Sequence, residues 1–75
     1  MDNHLLLAFG QTVKKIRLEN KLSQEELGER ADLDRTYVSG IERGKRNVSL
    51  VNIARLAKAL DVSISALVAF EVEDE

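Results

Sequence analysis

The chemistry this sequence can do is concentrated between Arg35 and Asn47, in the run RTYVSGIERGKRN. At about 100° per residue on a helix, Arg35, Thr36, Ser39 and Arg43 share one quadrant, while Tyr37, Val38 and Ile41 fall on the other side. That quadrant offers guanidinium forks, which donate paired hydrogen bonds to a planar acceptor edge, and hydroxyls that donate or accept. Gly40 borders it without adding bulk, and Arg43, Lys45, Arg46 and Asn47 extend the polar surface past the helix in a form suited to anions. A solvated helix face is the commoner explanation for an arbitrary set of such residues, so the neighbouring elements have to decide.

Other chemistries have thinner support. The sequence has no cysteine, which removes disulfides, thiolate metal sites and cysteine nucleophiles together. His4 stands without a second ligand at coordinating spacing, so no metal is expected, and nothing points to a cofactor. Glu25, Glu26 and Glu29 share one exposed helix, where capping and solubility account for them. No nucleophile is paired with a base and no loop is built to cradle phosphates; the expectation is a protein that is not an enzyme.

Apolar residues at helical spacing almost throughout, with no proline, predict an all-α chain. A first helix should run from about Asn3 to Asn20, with Leu6, Phe9, Val13 and Ile16 on its inner face and Lys14, Lys15 and Arg17 largely away from it. Lys14, Lys15 and Arg17 suit either solubility or a peripheral phosphate contact. Ser23-Gln24-Glu25-Glu26 fits a capping box and opens a second helix through Leu27 and Ala31. Gly28 inside it costs about 1 kcal/mol of helix propensity, for which close approach of another helix is a reason. Asp32-Leu33-Asp34 reads as a turn whose second aspartate caps a third helix, Arg35 to Arg43, ended by a left-handed Gly44. Ser49 caps a fourth helix with Leu50, Ile53, Leu56, Ala57 and Leu60 as one stripe; Ser63 caps a short fifth through about Ala69, and the acidic end, Glu71 to Glu75, should fray.

Two short helices joined by a three-residue turn, with a small residue in the first and an outward polar face on the second, describe a helix-turn-helix spanning about 23–43. Such a unit sets the start of its second helix in the DNA major groove while the first crosses the backbone. Arg35 then suits guanine O6 and N7, a pairing worth roughly 1 to 3 kcal/mol of discrimination, and Thr36 and Ser39 suit base edges or a thymine methyl. Gln24, at a helix start where free N–H groups favour an anion, and Arg43, Lys45, Arg46 and Asn47 suit the sugar-phosphate backbone.

The stretch LSQEELGERADLDRTYVSGIERGKRNVSL resembles the Cro and phage-repressor (Xre) helix-turn-helix family through its S-Q-x-x-L start, small residue and Y-[IV]-S-x-[IL]-E-x-G pattern. With KKIRLE before it and the short length, it is most similar to the controller proteins of type II restriction-modification systems. The resemblance implies a five-helix, lambda-repressor-like domain and a homodimeric regulator. Such a regulator binds operators upstream of its own and the endonuclease gene, first activating and then repressing. It also implies that Arg35, Thr36, Tyr37 and Ser39 lie on the base-reading helix and that Gln24, Arg43, Arg46 and Asn47 match phosphate-holding positions. The family commonly has glycine where this chain has Asp32, and alanine where it has Gly28. Glu42, frequent in the pattern, fits a structural pairing with Arg17 or Arg46. A prophage or mobile-element repressor or antitoxin of the same fold, or a protein-interaction adaptor without DNA binding, are the alternatives.

Charge distribution agrees with a nucleic-acid partner despite a net charge of −2. Residues 11–60 hold all 11 Lys and Arg against seven carboxylates, leaving +4, while the flanks hold six carboxylates and no Lys or Arg, leaving −6 with His4 neutral. A 75-residue chain makes one domain, 1–75, and buries only about 60% of the surface its unfolded form exposes, so a partner subunit would help. Leu60, Val62, Ile64, Leu67, Val68 and Phe70 exceed what five short helices readily bury, which places a dimerisation region at about 60–70. No apolar run approaches the roughly 20 residues of a membrane span and no leader pattern opens the chain; the expectation is a cytoplasmic protein with double-stranded operator DNA, its own copy and possible RNA polymerase as partners.

Overall fold

A computed structural model of the chain describes residues 4–71. Five helices follow in order: α1 His4–Glu19, α2 Gln24–Ala31, α3 Arg35–Glu42, α4 Leu50–Ala59 and α5 Ile64–Leu67. The expected start at Asn3 and the acidic end at 72–75 lie outside the described residues. Each start after α1 has the side-chain cap its sequence calls for: Ser23, Ser49 and Ser63 accept from the backbone N–H of Glu26, Asn52 and Ala66, and Asp34 from that of Thr36. The capping box at Ser23 is complete, with Glu26 Oε1 accepting from the Ser23 N–H at 2.8 Å.

The first four helices end by one device. Lys21, Asp32, Gly44 and Asp61 all take left-handed backbone angles, with φ of 58°, 59°, 72° and 59°. After α3 the Gly44 N–H donates to Ile41 O and the Lys45 N–H to Gly40 O, the paired closure that satisfies the last carbonyls. The same pairing follows α1 (Lys21 to Leu18 O, Leu22 to Arg17 O), α2 (Asp32 to Glu29 O, Leu33 to Gly28 O) and α4 (Asp61 to Lys58 O, Val62 to Ala57 O). The turns at Asp32 and Gly44 match the sequence expectation; those at Lys21 and Asp61 have no glycine to announce them. Helix α5 is shorter than expected, stopping at Leu67.

Helix α3 packs against α1 and α2, α2 against α4, and α5 against α4 and α1. Val13, Leu27, Val38, Ile41, Leu56, Leu60 and Leu67 sit fully buried where these faces meet, flanked by Phe9, Leu22, Ala31, Ala57 and Ala59. Gly10 lets α1 cross α3 at close range: a methyl there would stand 2.2 Å from Ile41 O and 2.9 Å from Glu42 O. Gly28 has a different reason from the one expected. Its missing side chain leaves room for the turn that follows, since a methyl would come 2.5 Å from Leu33 O.

Three expectations are corrected. Leu60 and Leu67, at 1% and 0% exposure, belong to the core of the single chain and are unavailable to a partner, whereas Ile64 and Val68 are exposed and Val62 and Phe70 half-buried. Leu50, expected to begin the inner stripe of α4, points outward with 72% of its surface exposed. Arg17, expected on the surface of α1, is buried. No helix among the described residues is long and apolar enough to cross a membrane.

Candidate nucleic-acid interface

Helix α3 is anchored by Val38 and Ile41, and this fixes which of its sides faces out. Arg35, Thr36 and Arg43 are exposed and Ser39 half-exposed, so the polar quadrant forms an outward surface as the helical spacing requires. Asp34 Oδ1 accepts from the Thr36 N–H at 2.7 Å, which fixes the first turn from which Arg35 and Thr36 project. At the other end Arg43 Nε donates to Ser39 O at 3.3 Å, and Lys45, Arg46 and Asn47 continue as exposed side chains in the loop to α4. Four cations, Arg35, Arg43, Lys45 and Arg46, therefore lie on or just beyond one helix of eight residues.

A buried polar network sets the angle of that helix. Glu42, at the end of α3, accepts from Arg17 Nε at 2.6 Å and Arg17 Nη2 at 3.0 Å, a bidentate pair between α3 and α1. Arg17 Nη1 donates to Leu22 O at 2.7 Å in the α1–α2 turn, and Gln24 Nε2 donates to Glu42 Oε1 at 3.0 Å from the first turn of α2. One carboxylate thus ties together three helices, and no buried side-chain polar atom among the described residues lacks a partner. The pairing of Glu42 with Arg17 is one of the two the sequence suggested. It also commits the Gln24 side-chain amide, so a phosphate at this helix start would meet backbone N–H groups first.

Tyr37 lies where its position on the wheel puts it, with Val38 and Ile41 on the inner side of α3. Its ring packs against the core, half-buried, and its hydroxyl reaches α4, accepting from Asn52 Nδ2 at 3.2 Å. The Arg46 guanidinium carbon lies 5.4 Å from the ring centroid, over its face. Asn52 was no candidate in the sequence, because a single asparagine in the first turn of a helix has no distinguishing pattern. Arg17 had only a weak signal: at about 40° from Val13 and about 20° from Leu6 it borders the apolar arc of α1, on the side away from Phe9 and Ile16, where a charge is ordinarily read as solvated.

Exposed carboxylates stand beside the polar quadrant of α3. Glu25, Glu29, Asp32 and Asp34 line a groove with Gly28, Leu33 and Arg35, along the outer side of α2 and the turn. Glu26 belongs to the cap, and the Ser23 backbone N–H, followed by the Ser23 hydroxyl, holds its carboxyl below the ordinary value of 4.5.

A cationic, outward-facing second helix, seated by a short turn on a first helix whose start is open, defines a helix-turn-helix protein of the DNA-binding class. The helix-turn-helix family pattern matches residues 13–67. The chain is 52% identical over 71 residues to the control protein C.BamHI of Bacillus amyloliquefaciens, covering 93% of this chain and 88% of that one. It superposes on the restriction-modification controller protein C.AhdI from Aeromonas hydrophila with a TM-score of 0.82 at 53% identity, over 83% of this chain and 94% of that one. The controller protein C.Esp1396I, solved as a tetramer in complex with its natural 35 base-pair operator, matches with a TM-score of 0.79 at 43% identity, over 84% of this chain and 83% of that one. This chain belongs to the Cro and phage-repressor (Xre) helix-turn-helix family and is similar over most of its length to restriction-modification control proteins.

Proposed function

We propose that the chain is a transcription regulator that binds a specific operator as a homodimer and controls its own gene and that of a restriction endonuclease. The observation that carries this reading is the outward quadrant of Arg35, Thr36, Ser39 and Arg43 on a helix whose inner side and angle are fixed by buried contacts. A reading helix gains specificity only if its approach angle is reproducible, and the Arg17–Glu42–Gln24 network supplies that rigidity. Arg35 reads a guanine edge, Thr36 and Ser39 adjacent edges, with Tyr37 at the border. Arg43, Lys45, Arg46 and Asn47, with the start of α2 at Gln24, hold phosphates.

Exposed apolar side chains at the start of α4 (Leu50, Val51), at the start of α5 (Ile64) and just past its end (Val68) supply the dimer contact, with exposures of 72%, 63%, 43% and 46%. A two-fold axis through such a contact would set two copies of α3 in successive major grooves about 34 Å apart, on an approximately palindromic site. For activation, Glu25 and Glu29 offer a surface for a basic partner such as RNA polymerase. The place of action is the cytoplasm, where the operator DNA is.

A footprint on the DNA immediately upstream of its own gene tests this, followed by two substitutions. Arg35→Ala should lower operator affinity by about 1 to 3 kcal/mol and relax one base position per half-site, while Arg46→Ala should weaken all sequences alike and reduce the salt slope by about one. Equal loss on operator and scrambled DNA for Arg35→Ala refutes the base-reading role. Absence of any footprint, with adjacent genes encoding neither methyltransferase nor endonuclease, refutes the controller role.

A further inference from the structure

The seat of Arg46 is built from three elements. Its stem runs past Gly40 of α3, where a methyl would stand 3.0 Å from Arg46 Cγ and 3.1 Å from Nε, so the glycine is a channel for this side chain. Its guanidinium lies over the Tyr37 ring, which is in turn tied through its hydroxyl to Asn52 of α4. Asn52 is free for this task because the N-terminal cap of α4 uses only its backbone N–H, which donates to Ser49 Oγ at 3.1 Å. No hydrogen bond within the described residues engages the Arg46 guanidinium, so all its N–H groups remain available to an anion. An exposed arginine otherwise spreads over many rotamers, and ordering it on contact with a ligand lowers affinity.

We propose that Asn52 is a positioning residue for DNA binding: by fixing the Tyr37 hydroxyl it holds the ring on which Arg46 is stacked, and so presents that guanidinium to a phosphate already ordered. This deepens the proposed function and rests on its assignment of Arg46 to the DNA backbone. The hydroxyl accepts from Asn52, which leaves its own proton to donate outward, so the pair also aims Tyr37 at the same backbone. Asn52 lies outside the helix-turn-helix, and the role makes α4 a part of the grip without its touching DNA.

The test compares Asn52→Ala, Tyr37→Phe, Arg46→Ala and the pairs Asn52→Ala/Tyr37→Phe and Asn52→Ala/Arg46→Ala. Binding is measured on a duplex covering the DNA upstream of the protein's own gene, and the Arg46 side-chain Nε–H resonance is followed by NMR in the free protein. Asn52→Ala and Tyr37→Phe should each weaken binding about three- to tenfold, the reach of one hydrogen bond, and the pair no more than either alone. In the Arg46→Ala background Asn52→Ala should change affinity by less than about twofold. In free protein Asn52→Ala should move the Arg46 resonance toward its random-coil position as the ring current is lost. A loss from Asn52→Ala that persists in full without Arg46 would mean that Asn52 touches phosphate itself, and overturns the proposal, as does unchanged affinity. An Arg46 resonance that stays in place overturns it whatever the DNA result, whereas a wild-type chain that binds no DNA defeats the function reading and leaves the resonance to decide the seat.

Discussion

Replacing Glu42 by alanine should be among the most damaging single changes available in this chain, although the residue is buried and lies outside the outward polar quadrant of α3. The Arg17 and Glu42 side chains are 8% and 3% exposed, and the carboxylate accepts three hydrogen bonds, two from Arg17 and one from Gln24. Glu42→Ala leaves a buried guanidinium with only Leu22 O as partner and orphans the Gln24 amide. Breaking a buried pair from one side costs about 3 to 5 kcal/mol, because the remaining charge keeps its desolvation penalty. A domain of this size loses about 4 to 8 °C of Tm per kcal/mol, so the drop should be at least roughly 12 °C. Removing both charges has a different sign: Arg17→Met/Glu42→Leu fills the space with apolar atoms, leaves no ion stranded, and should return to within about 2 kcal/mol of wild type or above it. Urea titrations followed by circular dichroism, at one fixed protein concentration, separate these outcomes. If Glu42→Ala costs under about 1 kcal/mol, or if the double variant is as unstable as the single, the network does not stabilise the fold in the way its geometry requires. DNA binding adds a second readout: the double variant should fold yet bind operator more weakly than wild type, because the bidentate tie that sets the angle of α3 is gone.

Three more outcomes follow from particular residues. Lys21 holds left-handed angles at φ 58°, so Lys21→Gly should stabilise the chain by about 0.5 to 1 kcal/mol, and a fall in Tm would contradict the closure described for α1. Ile64 is 43% exposed in the first turn of α5, where a carboxylate suits the helix start, so Ile64→Glu should fold normally and sediment as a monomer, whereas Leu67→Glu should unfold; an intact Ile64→Glu dimer removes α5 from the interface. The Glu26 carboxyl is held below 4.5 by the folded cap, so the cap's contribution is complete above that pH and is lost as pH falls through the lower folded value. A carboxyl titration by NMR should find Glu26 half-protonated below 4.5, with the Ser23 amide resonance following the same curve; a midpoint at or above 4.5 would deny the capping-box bond.

What could be read in the sequence, and what could not, divides by the range of the interaction. Ser23, Asp34, Ser49 and Ser63 were legible because a cap is a bond across two or three residues, decided by side-chain type and place. The outward direction of the polar quadrant was legible for a related reason, since the two anchors Val38 and Ile41 determine where Arg35, Thr36 and Ser39 must point. The division of apolar residues between core and surface was not, because Leu60, Ile64, Leu67 and Val68 are equally apolar and only the packing of α5 on α4 and α1 separates them. Left-handed ends at Lys21 and Asp61 were hidden because the closing bonds involve backbone alone and neither position is a glycine; Leu22 and Val62, packed against the core just after them, hold the chain in that turn.

Arg17 shows why charge alone is a poor guide to side. A guanidinium on the inner arc of α1 is expensive unless something planar and anionic meets it, and Glu42 meets it only after α1 has crossed α3 at Gly10. The three residues therefore make sense together and not separately: the glycine brings the helices close, the closeness puts the two charges in bidentate register, and the pair fixes α3 relative to α1. A regulator that must present the same reading helix at the same angle on every encounter gains from placing that constraint in the core, where DNA cannot disturb it. On the proposed base-reading role of α3, the corollary is an influence on specificity exerted from Arg17, 18 residues upstream of Arg35. Substitution of Arg17 should accordingly alter operator discrimination even when a compensating change at Glu42 restores stability.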